Sequence, residues 1–97
     1  MNKVIISGNI TADPQLKQTQ GNNPLEYVKF ILAVRRHGKD NEADFITCQA
    51  WKKTAELICN YVKKGDKIVI DGFIRTGQYE KDGRTIYTTD VVVESVE

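Results

Sequence analysis

WKKTAELICNYVKKGDKIVI, residues Trp51 to Ile70, decides the fold, because its hydrophobic period changes twice. Before it, Ala43 to Trp51 alternates: Ile46, Cys48 and Ala50 project one way, Phe45, Thr47, Gln49 and Trp51 the other. Within it, Ala55, Ile58 and Val62 recur at helical spacing, joined by Leu57 and Tyr61. Lys63 and Lys64 are placed in the last helical turn, where cations suit the dipole, and Gly65 is a natural stop. From Lys67 the alternation returns, with Ile68, Ile70, Gly72 and Ile74 facing inward. One short helix therefore interrupts a run of strands.

Working outward, residues 3–10 read as a strand bent at Gly8, broken by Pro14, with a weak resumption near Gln15 to Thr19. GNNP (Gly21 to Pro24) is a turn, and Leu25 to Arg36 is a long strand whose apolar stripe is Val28, Phe30, Leu32 and Val34. HGKDNEAD (His37 to Asp44) is a polar loop. Lys81 to Gly83 forms the tip of a hairpin whose second arm is RTIYTTDVVVESVE. Five strands with one short helix between the third and fourth predict an all-β, five-stranded Greek-key barrel of the oligonucleotide-binding (OB) type. Unbroken runs of strands argue against a doubly wound sheet.

The 97 residues are enough for one domain and one core, so residues 1–97 are read as that domain. A formal net charge of +1 neither demands nor excludes a nucleic-acid partner. No stretch has the length to span a bilayer or the pattern of a signal peptide, so no membrane partner is expected. Cys48 and Cys59 lack CxxC spacing and a histidine pattern, which argues against zinc and for reduced thiols in a cytoplasmic protein. His37 is the lone histidine, and no GxxxxGK, GxSxG or HExxH pattern occurs. No catalytic residue, metal or cofactor is expected, and the chain is not read as an enzyme.

Exposed rings on such a barrel stack on bases with little sequence preference. Phe45 and Trp51 lie about 20 Å apart along their strand, enough for two nucleotides. Sealing a subunit interface is the alternative, and the pattern leaves both open. Tyr79 either stacks on a base or pairs across the hairpin with Tyr87. Phe73 faces outward, more in keeping with an interface. Tyr27 and Tyr61 read as structural. Arg35, Arg36, Lys52, Lys53 and Arg75, near the ends of strands that carry rings, are candidates to track phosphates, whereas Lys63 and Lys64 also suit a helix end.

The segments NKVIISGNITADPQL (Asn2 to Leu16), VKFILAVRR (Val28 to Arg36) and Ala43 to Val96 resemble the OB domain of bacterial single-stranded DNA-binding proteins. The GN…DP opening, the AE…KKG helix and the DG…RT…Y…G…YTT hairpin carry the resemblance. It implies a homotetramer, a dimer of dimers, that wraps single-stranded DNA without catalysis in replication, recombination and repair. It places stacking aromatics at Phe45, Trp51 and Tyr79 and basic or polar contacts at Lys53, Lys64 and Arg75. The loop His37 to Asp44 is short and lacks the further ring that many members place nearby. The sequence ends at Glu97, without the linker and acidic, phenylalanine-ended tail by which the family recruits replication enzymes, so such partners are not expected through these residues. A dimeric primosomal protein of the same lineage and a protein-interaction module are the other readings, and solution mass and DNA binding separate them.

Overall fold

The strand-to-helix junction lies where the period changes: β4 (Ala43–Trp51) runs directly into α1 (Lys52–Tyr61). A computed structural model of the chain describes residues 1–38 and 41–97. Lys39 and Asp40 of the predicted loop His37–Asp44 lie outside them. The junction is abrupt. Lys52 takes a φ of 55°, a left-handed backbone that side chains adopt at some cost.

The other strands are β1 (Val4–Ile10), β2 (Lys17–Gln18), β3 (Glu26–Arg35), β5 (Lys67–Lys81) and β6 (Arg84–Val96). The five long strands close into a barrel: β1 pairs with β5, β5 with β6, β6 with β4, β4 with β3, and β3 with β1. All of these pairings are antiparallel except β4–β6. This is the Greek-key order of the OB barrel. It differs from the expected count because the resumption after Pro14 forms a two-residue strand on the edge of β3, so the helix follows the fourth strand. Closure is uneven. β4 meets β6 only at Cys48↔Val91 and Gln49↔Val92, and β1 meets β3 only at Asn9↔Ala33 and Ile10↔Leu32.

Alternation explains the core. Ile10, Val28, Phe30, Leu32, Cys48, Ala50, Ile68, Ile70, Val91 and Val93 point inward, and Ala55, Ile58 and Val62 cover them from the helix side. At Gly8 a side chain would collide with the Ala33 carbonyl, so glycine lets β1 pass from β5 to β3.

Four details differ from the sequence reading. Leu57 and Tyr61 are exposed, because only the Ala55–Ile58–Val62 row of this short helix reaches the core. Tyr61 is therefore not part of a buried helix face. Lys63 and Lys64 fall beyond the helix: Val62 donates its N–H to the Ile58 carbonyl and then turns extended. Gly65 serves the next turn instead, at φ 91°, between Lys63 and Asp66. Finally, Ile74 is exposed: past the register slip between Asp71 and Gly72 it faces an open apolar cleft lined by Val4 and Ile6.

Candidate nucleic-acid interface

Cross-strand partners project on the same side of a sheet, so the β3–β4 register composes one outer face. Its pairs are Tyr27↔Trp51, Lys29↔Gln49, Ile31↔Thr47 and Ala33↔Phe45. Their chain neighbours Val28, Phe30, Leu32, Cys48 and Ala50 fill the core, which leaves rings and polar groups outside.

The two β4 rings differ in setting. Phe45 is 67% exposed and stands at the rim of an apolar cleft of about 400 Å³ lined by Val4, Ile6, Ile46 and Ile74. Trp51 is half-buried against Tyr27, with ring centroids 5.1 Å apart and planes tilted by 30°. Its indole N–H donates to Gln49 Oε1 at 2.6 Å, and Gln49 Nε2 donates to Asp90 Oδ2 at 3.0 Å.

The hairpin supplies the second wall. Arg75 pairs with Asp90, Gly77 with Thr88 and Tyr79 with Ile86, so Arg75 and Tyr79 share a hairpin face. Lys29, Gln49, Arg75, Thr88 and Asp90 together line a polar depression of about 200 Å³. The Arg75 guanidinium also lies 5.4 Å over the half-buried Phe73 ring. Tyr79 is half-exposed and does not pair with Tyr87, because the register sets Tyr87 opposite Gln78 on the other hairpin face.

The remaining sequence candidates stand apart from that depression. Arg36 is held by Asp44, at 2.6 Å and 3.2 Å, and by Glu42 at 3.4 Å. The hydrogen bonds Arg36 donates to Asp44, and the charge of that carboxylate, push the Arg36 pKa above its ordinary value. Arg35 is exposed beside a separate depression with Asn9, Asn41 and Glu42. Lys53 is exposed in the first turn of α1, and Lys64 donates its backbone N–H to Asp13.

Lys29 is a surface feature that the sequence reading passed over, and Tyr87 entered that reading only as a cross-strand partner for Tyr79. Lys29 stands between the inward Val28 and Phe30, so alternation alone could have found it. Tyr87 required the register of the hairpin. Among the described residues no cluster of three or more metal-ligating side chains occurs, and no helix is long and apolar enough to cross a membrane.

The model of the single-strand binding protein family matches residues 1–97. The chain belongs to this family. It is 50% identical over 96 residues to a single-stranded DNA-binding protein of Clostridium perfringens, covering 98% of this chain and 63% of that protein. It is 43% identical over 102 residues to one of Bacillus cereus, covering 100% of this chain and 59% of that protein. It is 48% identical over 100 residues to one of Clostridium tetani, covering 99% and 68%. The chain thus spans about three-fifths of the length of the first two relatives.

Proposed function

We propose that the chain binds single-stranded DNA with little sequence preference, coating exposed strands during replication, recombination and repair in the bacterial cytoplasm. The observation that carries this reading is the ladder face on which bare Phe45 and the Tyr27–Trp51 pair flank exposed Lys29. Rings offer faces to bases, and adjacent cations replace the counterions of the phosphates. Phe45, Trp51 and Tyr79 are the stacking residues of this reading. Arg75 and Lys29, which share the depression beside Gln49, are its phosphate contacts, Arg35, Lys53 and Lys64 are further candidates, and Arg36 stands back because Asp44 and Glu42 engage it. No bond is made or broken, so binding free energy is the whole of the activity. Assembly as a homotetramer, a dimer of dimers, would join several such faces into one continuous path.

The test is titration of the chain with poly(dT) while following the fluorescence of Trp51, its single tryptophan. Strong quenching that weakens as salt rises is expected. An unchanged emission, with no binding by a second method, overturns the reading. Light scattering on the same sample checks the tetramer.

A further inference from the structure

Gln49 is buried although it stands on the outer, polar face of β4, opposite Lys29. It is 8% exposed, between the core residues Cys48 and Ala50. A buried amide costs free energy unless its oxygen and its nitrogen are both hydrogen-bonded. Here both are, to Trp51 and to Asp90. These partners leave the amide one orientation, since an indole N–H can only donate and a carboxylate can only accept.

The chain of bonds therefore runs one way, from the ring on β4 to the carboxylate on β6. It crosses the barrel where those strands barely pair, at Cys48↔Val91 and Gln49↔Val92. Tyr27 supports the ring and Gln49 fixes its edge. The same arrangement explains why Asp90, an anion, stands on a surface lined by Lys29 and Arg75. Its oxygen anchors the amide.

We infer that Gln49 is a positioning residue: anchored by Asp90, it holds the Trp51 indole in the pose that receives a base. This rests on the nucleic-acid reading above. A ring already fixed loses little side-chain freedom on binding, whereas a loose one must be ordered by the ligand.

The single tryptophan makes the test direct, because the protein has one indole N–H resonance. In Gln49→Leu that proton should shift and lose protection from solvent exchange, while far-UV circular dichroism stays as in the parent. Affinity for a dT oligonucleotide should fall about 2- to 10-fold, the cost of ordering one side chain. The salt dependence should not change, since no phosphate contact is removed. Asp90→Asn keeps an acceptor oxygen and should retain the protected indole proton.

An indole proton equally protected in Gln49→Leu overturns the inference, as does loss of protection in Asp90→Asn. Phe45→Ala separates the two levels of the argument. If it weakens dT binding while Gln49→Leu frees the indole at no cost in affinity, the positioning role alone fails. If neither variant changes affinity, the nucleic-acid face is wrong and the role falls with it.

Discussion

Phe45 and Trp51 stand on the same face of β4, yet Phe45 projects bare into solvent while Trp51 leans on Tyr27, its N–H tied to Gln49. A ring two-thirds exposed at the rim of a cleft contributes little to folding. Its value lies in what it meets afterwards. Phe45→Ala should therefore weaken dT binding by about 1–3 kcal/mol. The urea midpoint should move by no more than about 0.5 kcal/mol equivalent. Paired titration and unfolding measurements check this, and a large stability loss would assign Phe45 to packing instead.

The cations divide in the same way. Arg36 is engaged by Asp44 and Glu42, whereas Arg75 opens on the depression it shares with Lys29. Removing a true phosphate contact lowers the slope of log affinity against log salt by about 0.7 on a single strand. Arg75→Ala and Lys29→Ala should each show that drop. Arg36→Ala should leave the slope in place, and an equal drop there would mean that DNA displaces the acids.

Period two was enough to read the inner and outer sides of β3 and β4, since Val28, Phe30 and Leu32 alternate without interruption. The ring positions Phe45 and Trp51 followed from it. What alternation cannot convey is where the core ends. Ile74 continues the stripe of Ile68 and Ile70 past the register slip, but there it opens on the apolar cleft that it shares with Val4 and Ile6. Leu57 and Tyr61 fail likewise, because a ten-residue helix over a barrel mouth buries one row only. The Gln49 bonds were illegible because Asp90 is 41 residues away and comes close only through the brief β4–β6 pairing.

Gly72 marks that slip. A side chain there would run into the Val92 carbonyl, which is backbone and cannot rotate aside. Gly72→Ala should destabilise the fold by about 1–3 kcal/mol, the usual range for overpacking. Gly77→Ala, whose new methyl would meet only the Thr88 hydroxyl, should cost less. Thermal melts of the two variants rank the sites, and equal losses would remove the slip as the reason for glycine at position 72.

Cys48 gives stability a pH dependence of known sign. Burial, reinforced by the negative charge of Asp90, pushes its thiol from 9.0 up to about 12. Once unfolded, the same thiol releases its proton near its ordinary value, so above that pH the unfolded chain binds fewer protons than the folded one. Stability contributed by the neutral thiol is thus complete below about pH 9 and declines as pH rises toward about 12. Cys48→Val keeps a small apolar side chain on the strand and removes the titration. Between about pH 8 and about pH 10 the urea midpoint of the parent should fall more steeply than that of the variant. Every other ionisable group is common to both proteins and cancels in the comparison. Parallel slopes would show that the Cys48 thiol ionises as readily inside the barrel as in the unfolded chain.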